Sequence, residues 1–434
     1  MKEKTEVLIQ AAINRAVEAH DVGGMNVLVT QNGKDRWYCQ SGMLDIRKNQ
    51  KLERDAIFRC YSMSKPVTAV AAMMLVERGL LDFDEPVFNY LPGFKDQHVA
   101  VEDEHDAGED VSPYKAQLLA EPGGDYRNAA SAPSESPVTS PVTIKNLLTM
   151  TSGLPYPDPD HIAGRGAGEV MDIVQRDLLT DHALGTVDVA NRLGRQPLRF
   201  QPGRHWMYGT SADVLGAVIE VASGQRFGDF LRTEIFEPLG MKDTAFYVPP
   251  EKQGRLGAIY ENSASPLEPY ESGTDIPGTN LREVTPSRHG VIYRGDSDPA
   301  YQSGGAGLFS TLDDYSHLGH MLLQEGNYGA VRLLSEATVR YMTRNALLGQ
   351  PKTDYESWQH GYGYNSLMRI LERPSMSYVM GTAGEYGWDG WLGTYFTNLP
   401  AENATMLVGM QLFNGSVTQT TRKVHNIVTA ALHD

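Results

Sequence analysis

Two stretches of the 434-residue chain place a serine three residues before a lysine, Ser62…Lys65 and Ser112…Lys115. A serine hydroxyl is a poor nucleophile until a base takes its proton, and a neutral lysine amine can be that base. At the start of a helix, residues i and i+3 share a face, so this spacing lets the amine reach the hydroxyl. The pattern alone is weak, because about one or two matches arise by chance at ordinary residue usage. Context separates the pair. Ser62 follows the strand-like AIFRCY (56–61) and opens PVTAVAAMMLVERG, whose Val67, Val70, Ala71, Met74 and Leu75 make an apolar helical stripe. Pro66 falls in the first turn, where its missing N–H does little harm. Ser112 sits in an acidic, proline-containing stretch followed only by Leu118-Leu119. For catalysis the lysine must be neutral near pH 7. A shift from about 10.4 to about 7 requires about 4–5 kcal/mol, which burial can supply by desolvation. The Ser62 N–H at the helix start is also a natural oxyanion donor. The plainer alternative is an N-capping serine followed by a surface lysine.

Two further segments carry reactive or unusual residues. In FQPGRHWMYGTSADVLGAVIEVASG (200–224), Gln201-Pro202-Gly203 reads as a turn, and Ser211 is expected to cap an apolar helix ending at Gly224. An extended link before that helix points Trp206 and Tyr208 the same way. Tyr208 would feel the positive helix end, which favours a phenolate. As one of 21 tyrosines it also fits an ordinary core position. In GEYGWDGWLGTYFTN (384–398), the glycines let a strand approach another segment closely.

Other chemistries find no support. The sequence has no H-E-x-x-H, no C-x-x-C, no G-x-x-x-x-G-K-[ST], no strand-linked G-x-G-x-x-G and no G-x-S-x-G. His317 and His320 share a helix face without an evident third ligand, so they read as packing residues and no metal or cofactor is expected. A formal charge of −16, with no compensating Lys/Arg cluster, disfavours nucleic acid. Two cysteines, Cys39 and Cys60, are too few for a disulfide framework. The N-terminal MKEKTEVLIQAAINRAVEAH lacks a signal-type apolar run; Val7, Leu8, Ala11, Ala12 and Val17 fit an amphipathic helix. No stretch has membrane-span length. These features lead to the expectation of a soluble cytoplasmic protein with no membrane or nucleic-acid partner. They leave its oligomeric state open.

The elements needed to hold the reactive residues are legible at the chain ends. MNVLVTQ (25–31) and DRWYCQ (35–40) flank Asn32-Gly33 and predict a hairpin. LGTYFTN (392–398) and ATMLVGMQLF (404–413) predict another, followed by a helix near 417–432 with Val424, Ile427, Val428 and Ala431 on one face. Strands at both ends around a helix-rich middle predict an α+β fold: an antiparallel sheet from N- and C-terminal strands, flanked by helices, with a mostly helical lobe inserted. The expected division is a sheet domain of 1–80 and 346–434 and a helical domain of 81–345. Within the latter, 96–141 reads as a surface insertion: 96–110 holds seven acidic and no basic residues, and SAPSESPVTSP (131–141) follows. A solvated loop is its plainer reading and a lid over a pocket the functional one.

Taken in order, these segments resemble the serine β-lactamase and penicillin-binding superfamily. The closest resemblance is to the class C β-lactamase-related group that includes family VIII carboxylesterases. The residues carrying it are FRCYSMSKPVTAVAAMMLVERGLLDFDEPVFNYLPGF (58–94), VTIKNLLTMTSGL (142–154), PGRHWMYGTSADVLGAVIE (202–220), GGAGLFSTLDDYSHLGHML (304–322) and the Trp388 segment. The resemblance implies that Ser62 is the acylated nucleophile, Lys65 its proton partner and Tyr208 the tyrosine of the Y-x-N box, which shuttles the proton. It places Trp388-Asp389-Gly390 where the family has K-T-G, H-x-G or W-G-G, and implies an oxyanion hole from the backbone N–H groups of Ser62 and Trp391. Thr210, Trp388 and Gly390 become the expected substrate-binding positions. Departures from the pattern favour esters. Thr210 replaces the asparagine that orients an amide, and Trp388 replaces the cation that anchors a substrate carboxylate. Strand alternation should point Trp388 into the pocket and Asp389 away. The expected activity is hydrolysis of small carboxylic esters through an acyl-enzyme, with β-lactamase, D-amino-acid peptidase or amidase, and acyltransferase chemistry as alternatives on the same scaffold.

Overall fold

The computed structural model describes residues 2–101, 134–178, 180–262, 273–285, 295–413 and 415–432. Helix α1 (Lys2–Glu18) leads into β1 (Gly24–Gln31), and the chain reverses at Asn32-Gly33 into β2 (Lys34–Asp45). Asn32 and Gly33 have φ of 54° and 71°, the two left-handed residues a type I′ turn requires. A short β3 (Gln50–Lys51) follows. The C-terminal part adds β4 (Tyr362–Asn365), β5 (Met368–Leu371), β6 (Tyr386–Asp389), β7 (Tyr395–Leu399) and β8 (Ala404–Gly409). These eight strands form one antiparallel sheet in the order β4-β5-β6-β7-β8-β1-β2-β3. The two chain ends meet at its centre, where β8 pairs with β1 from Gly409↔Asn26 to Ala404↔Gln31.

Period-two alternation divides the sheet between two cores. Met25, Val27 and Val29 of β1 and Ala404, Met406 and Val408 of β8 face an outer layer made by α1 and the C-terminal helix Gln419–Leu432. Leu28 and Leu407 face the other way, into the core shared with α2 (Lys65–Glu77) and α3 (Ser211–Ser223). The stripe on α1 differs in register from the expected one. Ile9, Ala12, Ile13 and Ala16 are buried, while Val7 and Leu8 remain exposed. The spacing i, i+3, i+4, i+7 of the former makes the continuous face. The apolar stripe expected on α2 is instead a whole cylinder, buried on every side from Lys65 to Leu75.

The ends of the 96–141 segment are ordered more than a surface loop would be. His98–Val101 pairs antiparallel with Ser134–Pro137, and Ala100 N donates to Leu198 O at 2.9 Å, so Val99 and Ala100 become buried. Residues 102–133, including Ser112 and Lys115, lie outside the described residues, as does the lid reading of that stretch. Among the described residues no helix is long and apolar enough to cross a membrane.

Candidate active site

The segment that carries Ser62 is fixed before α2 begins. Phe58–Arg59 pairs with Phe309–Ser310, and Cys60 N donates to Leu308 O at 2.8 Å. A 3₁₀ turn, Tyr61–Ser64, then runs into α2. Tyr61 has φ of 45°, a left-handed conformation that costs an aromatic residue about 1–3 kcal/mol. Packing holds it there: its ring meets Trp391 edge-on, with centroids 5.9 Å apart.

Ser62 and Lys65 are brought together with Lys65 fully buried. Lys65 Nζ lies 3.1 Å from Ser62 Oγ, 3.0 Å from Tyr156 OH and 2.9 Å from Gly305 O. A neutral amine has two N–H donors and one lone pair. Gly305 O can only accept, so one N–H is committed to it. The other can go to Tyr156, which leaves the lone pair to receive the Ser62 proton. Burial pulls the amine down to about 7, against the opposing pull of Asp213 and Asp389. Asp213, in the first turn of α3, accepts from Tyr301 OH at 2.7 Å, from Ser303 Oγ and from Gly305 N at 3.3 Å. Thr68 Oγ1 donates to Gly304 O at 2.7 Å. These bonds fix the carbonyl that orients Lys65.

Tyr208 sits just ahead of α3, as expected, with its ring face 4.5 Å from Lys65 Nζ. Its hydroxyl accepts from Trp388 Nε1 at 3.1 Å. Gly209 packs so tightly on the Leu154 carbonyl that a Cβ would clash. The helix start differs from the expected one. Thr210 is the N-cap residue, without a side-chain cap bond, and Ser211 Oγ instead bonds Ser152 Oγ at 2.8 Å. Thr210 is fully buried and its hydroxyl donates to Pro155 O at 3.2 Å. That bond braces the segment that carries Tyr156.

On β6, Trp388 and Asp389 diverge as strand alternation requires. Trp388 joins an aromatic wall with Tyr208 (5.6 Å between centroids), Trp358 (6.0 Å) and Tyr364 (5.3 Å). Asp389 turns to Arg369 of β5, at 2.8 Å. Burial lifts the Asp389 carboxyl to about 6, with the Arg369 charge restraining the rise. Gly390 lies where any Cβ would strike Cys60 O and Thr394 Oγ1. Its N–H donates to Thr394 O at 2.7 Å, closing the turn that contains Trp391. His317 and His320 lie on a separate helix, Leu312–Leu323, both against Tyr328, with His317 Nδ1 2.8 Å from Leu239 O. Among the described residues no group of three His, Cys, Asp or Glu could hold a metal.

Sequence reasoning missed Tyr156, Asp213, Arg369 and Thr394. Tyr156 had a signal: it lies between Pro155 and Pro157, just past the 142–154 segment. Asp213 and Thr394 lie inside the segments that carry the family resemblance, without a local pattern to single them out. Arg369 could be found only through strand pairing.

The Beta-lactamase family model matches residues 9–433. Esterase EstB of Burkholderia gladioli is 28% identical over 398 residues, 89% of this chain and 85% of that protein. Monacolin J acid methylbutanoyltransferase of Aspergillus terreus is 26% identical over 369 residues, 82% and 74% of the two chains. Among solved structures, EstCE1, described as a hydrolase with promiscuous acyltransferase activity, superposes with TM-score 0.75 at 23% identity, covering 98% of this chain and 99% of the other. With the fold, the order of its segments and a match over nearly its whole length in agreement, the chain belongs to the Beta-lactamase family and is a serine hydrolase of the β-lactamase and penicillin-binding superfamily.

Proposed function

We propose that the protein hydrolyses small, uncharged carboxylic esters through an acyl-enzyme on Ser62. The observation that carries this reading is the buried Lys65 amine 3.1 Å from Ser62 Oγ, held near neutrality by desolvation. Lys65 takes the hydroxyl proton as Ser62 Oγ adds to the ester carbonyl, and the Ser62 and Trp391 N–H groups receive the oxyanion. Collapse expels the alcohol, which regains a proton through Tyr208. Water then adds to the acyl-enzyme with the same groups acting in reverse. The role of Lys65 is supported by its contact with Ser62 and that of Tyr208 by its ring against Lys65 Nζ, and Tyr156 adds a second hydroxyl on the amine.

Ester specificity is supported by what surrounds Trp388. An indole occupies the place of a carboxylate-binding cation, and Arg369, on the neighbouring strand, is turned to Asp389. A carboxylate-bearing β-lactam would therefore meet an aromatic wall. Steady-state rates with p-nitrophenyl butyrate and nitrocefin test the choice, and a higher kcat/KM on nitrocefin would overturn it. Labelling with a fluorophosphonate, with Ser62→Ala as control, tests the nucleophile. The similarity to a methylbutanoyltransferase favours acyl transfer to an alcohol as the second reading, since both routes share the acyl-enzyme. Product analysis with an added alcohol separates them.

A further inference from the structure

Two contacts outside the reacting groups tie the turn carrying Trp391 to the residues that precede the nucleophile. Thr394 Oγ1, almost fully buried, donates to Cys60 O at 3.0 Å. The Tyr61 ring meets the Trp391 ring at 73°, and Phe413 backs Trp391 with centroids 4.9 Å apart. The turn itself is closed by Gly390 N to Thr394 O at 2.7 Å and Gly393 N to Gly390 O at 2.9 Å. Between the two segments there is no room for a single added methyl group at Gly390.

The Cys60 carbonyl and the Tyr61 backbone belong to the consecutive peptide units that lead to the Ser62 N–H. Holding them holds the direction of that N–H. The same contacts hold the turn that offers the Trp391 N–H. We propose that Thr394 and Tyr61 are positioning residues that set the separation of these two donors, and so determine how tightly an oxyanion is bound. This rests on the acyl-enzyme reading of Ser62. In the step concerned, the Ser62 O–H bond breaks to Lys65, a C–O bond forms, and the carbonyl π pair becomes the oxyanion's charge. The donors act only on that last change, and a hydrogen bond weakens steeply once it is stretched or bent.

Thr394→Val keeps the side-chain shape and removes the donor. The expected result is a fall in kcat on p-nitrophenyl butyrate of about 10- to 100-fold, the scale of a displaced oxyanion donor. KM should change less than about threefold, because the contact matters only when the oxyanion exists. Affinity for a boronic acid mimic of the tetrahedral state should fall in parallel, and Thr394→Ser should restore most of both. Tyr61→Leu should behave as Thr394→Val and serves in its place should the latter not fold. An unchanged kcat in folded Thr394→Val, or a loss carried by KM alone, overturns the proposal. Intact-mass analysis of the wild type during turnover keeps the two readings apart: absence of an acyl adduct on Ser62 refutes the parent mechanism, whereas an adduct with an unaffected Thr394→Val refutes only the positioning role.

Discussion

The rate of Ser62 acylation should follow the titration of Lys65, which burial moves toward neutral pH. Burial lowers the amine from 10.5 to about 7 although Asp213 and Asp389 both oppose the change. A displacement of that size corresponds to about 5 kcal/mol favouring the neutral amine. About half of the enzyme then carries a neutral lysine at pH 7, but only about 1% at pH 5. Acylation should fall about 50-fold between those values and level off above pH 8. The assay is kcat/KM on p-nitrophenyl butyrate from pH 5 to 10, which reports the free enzyme, checked against the rate of fluorophosphonate labelling. A lysine with an ordinary value would be only about 0.03% neutral at pH 7, and the rate would climb tenfold per pH unit past 9. Such a climb would refute the argument that desolvation creates the base. The same shift acts on stability. Between about 7 and 10.5 the unfolded chain binds a proton that folded Lys65 has lost, so this group makes folding more favourable as pH rises through that window. Urea titrations of wild type and Lys65→Met should differ in that slope.

Tyr208→Phe should lower kcat by about 100-fold or more, the scale of a lost acid–base group, and a near-normal rate would remove Tyr208 from the mechanism. Tyr156→Phe removes an oxygen that accepts from Lys65 Nζ and so supports its charged form. The acid limb of the pH profile should move to lower pH, with turnover reduced about tenfold; an unmoved limb would show that the contact is incidental. Arg369→Met strands the buried Asp389 and should destabilise the fold by about 3–5 kcal/mol near neutral pH. The loss should be smaller at pH 5, where the raised Asp389 carboxyl is already largely protonated, and equal losses at pH 5 and 8 would contradict the pairing. Gly390→Ala forces a methyl into the Cys60 carbonyl, so turnover should collapse by at least about 100-fold; retained activity would mean that this approach is looser than it stands.

What the sequence made legible was whatever a short stretch of chain settles by itself. Asn32-Gly33 forces a left-handed pair, and the β-favouring runs LGTYFTN and ATMLVGMQLF flank turn residues, so both hairpins followed. The Ser62–Lys65 geometry was local for the same reason, being one turn of chain. Even the divergence of Trp388 and Asp389 came from strand parity alone. Where local patterns competed, sequence reasoning erred. Val7 and Leu8 were as apolar as Ile9 and Ile13, and only packing against the sheet chose between the two registers of α1. Ser211 was the stronger cap by residue type, yet its hydroxyl found Ser152, 59 residues away, and the N-cap lies one residue earlier, at Thr210. The groups that tune the site were hidden more deeply. Tyr156 reaches Lys65 across 91 residues, Gly305 across 240, and Thr394 reaches Cys60 across 334. Such contacts leave no mark at fixed spacing, because the chain between them is free to vary while the sheet and α2 hold their ends in place. The proposed nucleophile and its base can therefore be picked out from four letters and the apolar helix that follows them, whereas the environment that lowers the amine is a property of the assembled core.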